Sequence, residues 1–113
     1  MIIAGIAGKN KYKARRTAIG ELVFASAKES KRYLDLKLLE KGGRIRNLKL
    51  QVPFLLMVND VKVCKYIADF QFEELQHGQW VAVTEDTKGF ITPMYRLKRK
   101  LMKACLGIEI RET

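Results

Sequence analysis

Four side chains carry the strongest chemical signal in this sequence: Asp69, Asp86, Lys88 and Glu29. The first three converge if His77-Gly78 forms a two-residue turn, since glycine accepts the positive φ that tight hairpins demand. That register sets Phe70 opposite Glu85, Phe72 opposite Val83 and Glu74 opposite Val81 on a mainly apolar face suited to a core. The other face carries Asp69 opposite Asp86, Gln71 opposite Thr84, Glu73 opposite Ala82 and Leu75 opposite Trp80, with Lys88 two residues beyond Asp86. Opposed residues have Cβ atoms about 4.5–5.5 Å apart, so two aspartates destabilise the pair unless a proton or a cation lies between them. Mg2+ suits such a place, because it takes a few carboxylates together with waters and phosphate oxygens. It also makes water a usable nucleophile near neutral pH, and a neighbouring lysine can hold that water or offset charge growing on a phosphate. Period-two alternation selects Asp86 over Glu85, which is a fallback ligand only if a bulge intervenes. The plainer alternatives are an accident of register on a solvated face and a Lys88–Asp86 ion pair of little worth.

The elements that must position these residues can be read along the chain. Residues 19–25 form a short strand, and Ser26-Ala27-Lys28-Glu29 has the spacing of a capping box that opens a helix running to about Lys41, with Gly42-Gly43 as its stop. Glu29 therefore has two readings, a catalytic acid or a helix cap. Residues 44–51 and 54–58 read as extended segments separated by Pro53, Asn59-Asp60 as a turn, and 61–75 and 80–88 as the hairpin strands. Thr92 and Pro93 open a second helix to about Leu106, and 108–111 form a last strand. The order is β-α-β-β-β-β-α-β, a mixed α/β (α+β) domain over 19–113 behind a basic arm over 1–18. Leu34, Leu38 and Leu39 are expected in the core, as is a helix-two stripe of Met94, Leu97, Leu101 and Ala104. His77 reads as a solvated turn residue, Gln51 as a neighbour of the acid site, and Trp80 with Leu75 as a covered patch at the far end of the hairpin.

Charge narrows the function classes. The chain has 113 residues with 22 Lys+Arg against 12 Asp+Glu, a net charge of +10, and 48% hydrophobic residues, enough for one modest core. Lys9, Lys11, Lys13, Arg15 and Arg16 stand in an acid-free stretch, as do Arg96, Lys98, Arg99, Lys100 and Lys103, and these two stretches account for the whole excess. Both suit a phosphate backbone, whereas acids in the near-neutral middle would repel one and so need a separate explanation. No apolar run approaches the roughly 18–20 residues of a membrane span, and the basic residues near the start follow the apolar ones, the wrong order for a secretory signal. A cytosolic protein without a membrane partner is expected. Cys64 and Cys105 lack a CxxC or Cys/His context and read as buried free thiols.

Asp69, a sixteen-residue interval and Asp86-Thr87-Lys88, after a helix carrying Glu29, together resemble the PD-(D/E)XK nuclease superfamily, whose restriction-endonuclease-like fold includes several Holliday-junction resolvases. More particularly, Phe24 to Lys103 is similar to a phage-associated domain family catalogued as of unknown function. The matching segments are Phe24-Ala25-Ser26-Ala27-Lys28-Glu29 with Arg32-Tyr33, Leu48-Lys49-Leu50-Gln51, Tyr66-Ile67-Ala68-Asp69-Phe70 and Glu85-Asp86-Thr87-Lys88-Gly89. The resemblance implies a mixed sheet flanked by helices, with Asp69, Asp86 and Glu29 as metal ligands and Lys88 positioning the attacking water. Ala68 stands where the superfamily usually has proline, and Asp86 is the less common of its two acids. The expectation is a Mg2+-dependent endonuclease, with Mn2+ as an alternative ion, in a phage-infected or prophage-bearing bacterium. Since no separate sequence-reading module fits the chain, branched, junction or flap DNA is the expected substrate, and a homodimer would suit a symmetric one. The alternative is a non-catalytic nucleic-acid-binding or inhibitory protein on a nuclease-like fold, which would have no use for Asp69, Asp86 and Lys88 together. A helix-turn-helix regulator fits poorly, because helix two has no neighbouring helix.

Overall fold

The computed structural model describes residues 17–20 and 22–113. In chain order the elements are β1 (Thr17–Ile19), β2 (Leu22–Phe24), α1 (Ala27–Lys41), β3 (Ile45–Val58), β4 (Val61–Gln76), β5 (Gln79–Asp86), α2 (Pro93–Leu106) and β6 (Ile110–Glu112). The class is mixed α+β, as expected. A four-stranded sheet runs β3-β4-β5-β6, antiparallel except for the parallel β5–β6 pair, and β1 with β2 makes a separate antiparallel pair.

Both turns follow their sequence signals. Asn59, Asp60, His77 and Gly78 all adopt positive φ, the backbone that two-residue hairpins require. The β4–β5 ladder has the anticipated register, Phe70 with Glu85 through Gln76 with Gln79. Its apolar face builds the first core, where Phe70, Phe72 and Val83 meet Phe24, Leu36 and Ile45. A second core joins Leu56, Tyr66 and Ala68 to Tyr95 and Met102 of α2, so β4 changes partner helix as it passes Asp69.

Several expectations need correction. The first strand is a hairpin, because Gly20 takes a left-handed φ of 60° and reverses the chain, and β1 begins inside the range assigned to the arm. Residues 44–51 and 54–58 belong to one strand, since Pro53 lies on the sheet's edge, where a proline is tolerated. Level with Asp69, between the rungs Leu50–Phe70 and Val52–Ala68, Gln51 kinks that strand with a φ of 55°. On α1, Leu34 and Leu38 are 48% and 69% exposed and Leu39 is exposed too. Glu29, Tyr33 and Leu36 form the inward face, and Arg32 reaches from α1 to Glu85, which turns those leucines outward. On α2 the inward residues are Tyr95 and Met102, anchored by the bond from the Tyr95 hydroxyl to Glu112. Met94, Leu97 and Ala104 are consequently exposed, and Leu101 is only partly buried. Cys64 and Cys105 are free but half-buried. At the far end of the hairpin, the Arg46 guanidinium lies 4.3 Å above the Trp80 ring.

Candidate active site

The β4–β5 ladder ends at Phe70–Glu85, so Asp69 and Asp86 stand just past the last rung and not as a ladder pair. Both are buried, at 5% and 3% exposure, and both line one cavity, so each carboxyl acts on the ionisation of the other. Burial, then the facing Asp69, push the Asp86 carboxyl up to about 7. Asp69 is buried as well, yet its interaction with Asp86 and the Thr87 amide, 3.0 Å from its Oδ2, hold it below the ordinary carboxylate range. Oδ2 of Asp86 accepts from the Tyr66 hydroxyl and pairs with Lys88 Nζ at 3.1 Å. Burial, followed by the charge of Asp86, raises the Tyr66 phenol far above its ordinary value, so Tyr66 is a fixed donor.

Lys88 is placed from three sides. Its ammonium lies 4.0 Å from the centre of the Tyr95 ring, a cation–π contact. Its backbone N–H donates to the Thr113 carbonyl at 3.1 Å, while Thr113 N–H donates to the Asp86 carbonyl at 3.0 Å. Lys28 Nζ donates to the Lys88 carbonyl at 2.9 Å, tying the start of α1 to the same segment.

Glu29 takes both of its expected positions. Ser26 caps α1 by accepting from the Glu29 N–H at 3.1 Å, and Glu29 Oε2 reaches back to the Ala25 N–H at 3.2 Å, one residue earlier than the usual capping-box partner. The same residue is 2% exposed and lines, with Asp69, Asp86 and Lys88, a single cavity of about 690 Å³. Among the described residues no three His, Cys, Asp or Glu side chains are grouped closely enough to cage a metal by themselves. The donor chemistry nevertheless fits a hard cation: two buried carboxyls and a third acid, Glu29, line the same cavity.

Glu85 points away from the cavity, as alternation requires. It is fully buried and takes a bidentate pair from Arg32, at 2.7 and 2.8 Å, which removes it as a ligand. Gln51 does not line the cavity, and His77 is an exposed turn residue. The basic stretch of α2 divides: Lys98 lines the cavity, Arg99 pairs with Glu112 at 2.8 Å and Lys103 with Glu109 at 3.1 Å, while Arg96 and Lys100 are exposed. The basic face of α2 is thus partly neutralised, because Glu109 and Glu112 lie beside it. Lys9, Lys11, Lys13, Arg15 and Arg16 lie outside the described residues.

Sequence reasoning missed Tyr66, Tyr95, Thr113, Lys28 and Lys65. Alternation assigns Tyr66 to the face of Phe70, so nothing links it to Asp86; the link arises where β5 leaves the ladder. Lys28 read only as a spacer within the capping box and Lys65 carried no motif, yet both border the cavity.

Residues 9–110 match the model of a family described as "Protein of unknown function (DUF1064)". No curated protein and no solved structure matches the chain. Among the described residues no helix is long and apolar enough to cross a membrane.

Proposed function

The chain belongs to the DUF1064 family, and for it we propose a Mg2+-dependent endonuclease acting on DNA phosphodiester bonds, of the PD-(D/E)XK kind that its motif resembles. One observation carries the reading: two buried aspartates line one cavity that lysines border. A structural role for that arrangement would be costly, since like charges this close oppose one another.

Asp69 and Asp86 would hold the ion, with Glu29 completing the set. Bound there, Mg2+ (or Mn2+) supplies positive charge to a phosphate and lowers the pKa of water. The chain's own residues do the rest. The Thr87 amide fixes the Asp69 carboxylate, the Tyr66 hydroxyl fixes that of Asp86, and Thr113 holds the backbone between them. Lys88, oriented over Tyr95 and paired with Asp86, is the group that orients an attacking water or meets charge developing on the phosphate. Branched or flap DNA is the substrate this reading favours, in the cytoplasm of a phage-bearing bacterium, with backbone charge supplying affinity.

The test is incubation with labelled four-way junction, flap and linear duplex, in Mg2+ and in EDTA, for wild type, Asp69→Ala and Lys88→Ala. Metal-dependent cleavage lost in both variants is the expected result. Binding without cutting would favour a non-catalytic nucleic-acid-binding protein instead.

A further inference from the structure

Three lysines from three different elements border the cavity above the acids: Lys28 of α1, Lys65 of β4 and Lys98 of α2. Among the described residues none is paired with an acid: Lys28 donates to a backbone carbonyl, and Lys65 and Lys98 form no ion pair there. Lys65 is exposed and Lys98 half-buried at the rim, whereas Asp69 and Asp86 are 5% and 3% exposed beneath it. A phosphate can reach those acids only by entering the cavity.

That depth discriminates between forms of nucleic acid. A volume of about 690 Å³ falls within the roughly 300–1,000 Å³ that encloses a small-molecule ligand. A regular duplex, whose major groove alone is about 12 Å wide, presents its phosphates on a convex rod that cannot follow them in. One unpaired strand can.

We infer that the cavity takes an unpaired stretch of DNA strand, with Lys28, Lys65 and Lys98 as phosphate-binding residues on the path to the acids. The inference rests on the nuclease reading for its consequence, but its binding prediction stands apart from catalysis.

The experiment measures anisotropy of a labelled single-stranded oligonucleotide, and of the blunt duplex of the same sequence, bound to the full chain in EDTA across a salt series. Wild type binds the single strand more tightly than the duplex at every salt concentration. Lys65→Gln and Lys98→Gln each reduce the slope of log affinity against log salt by about 0.7, the value of one single-strand phosphate contact. Lys62→Gln, on the same strand but not lining the cavity, leaves the slope unchanged. All three side chains reach the surface, and circular dichroism melting checks that each variant folds. Equal or tighter duplex binding, or wild-type slopes in both cavity variants, overturns the inference. Cleavage in Mg2+ separates the two failures: a protein that cuts DNA yet prefers duplex keeps the nuclease reading and loses this one, and a protein that prefers single strands without cutting does the reverse.

Discussion

Asp86→Asn gives the sharpest test of the acid pair, because it removes a charge without changing shape. In the unfolded chain Asp86 loses its proton near its ordinary value of 3.8, whereas in the fold it keeps it to about 7. Between those values the native state binds more protons than the unfolded state, so the free energy of unfolding falls as pH rises. A shift of about three units at roughly 1.4 kcal/mol each sets a ceiling of about 4 kcal/mol. Asp69, held below its ordinary range, offsets part of this, so the stability lost between pH 4 and pH 7 falls short of that ceiling. The asparagine can still accept from Tyr66 and donate to Asp69, so the variant should lose that pH dependence and be the more stable protein at pH 8 in EDTA. Urea unfolding at pH 5 and pH 8 measures both. With Mg2+ at a hundred times its dissociation constant, wild type at pH 8 should gain about 2.7 kcal/mol and the variant much less. Parallel pH profiles for the two proteins, or a variant less stable at pH 8, would refute the reasoning.

Other outcomes follow from the same geometry. Arg32→Gln leaves the buried Glu85 carboxylate without its bidentate partner and should cost roughly 3–5 kcal/mol in denaturant unfolding. Glu29→Gln can still accept from the Ala25 N–H, so its stability should stay within about 1 kcal/mol of wild type while metal-dependent cleavage falls more than tenfold; equal losses in both would reduce Glu29 to a cap. Leu36→Ala should cost about 2–5 kcal/mol, whereas Leu38→Lys, on the outer face of α1, should stay within about 0.5 kcal/mol by thermal melting.

The strand pair was legible because its information is local: one turn fixes the register from Gln76 to Phe70, and period two then separates Asp86 from Glu85. The capping signals of Ser26 and Thr92 were equally local and start both helices where expected. The faces of those helices were not legible. Leucine spacing on α1 was a sound apolar signal, but the ion pair from Arg32 to Glu85 and the seat of Leu36 decide the rotation, and both depend on residues distant in sequence. The same holds for α2, where Tyr95 is turned inward by Glu112 and carries Lys98 to the cavity. Second-layer groups such as Tyr66 and Thr113 have no signature at all, since they act across breaks in regular pairing.

Glu85 and Asp86 are neighbours with opposite fates, one paired with Arg32 away from the cavity and the other lining it beside Asp69 and Lys88. A single residue inserted between Gln76 and Glu85 would put Glu85 in the place of Asp86 and Thr84 before Arg32, and a single deletion would put Asp86 before Arg32 and Thr87 at the acid pair. The β4–β5 turn should therefore accept substitution but not a change of length, whereas the Asn59-Asp60 turn, at the other end of β4, can lengthen without moving either acid. Tolerance to insertion in this molecule is set by which of its two hairpins receives it.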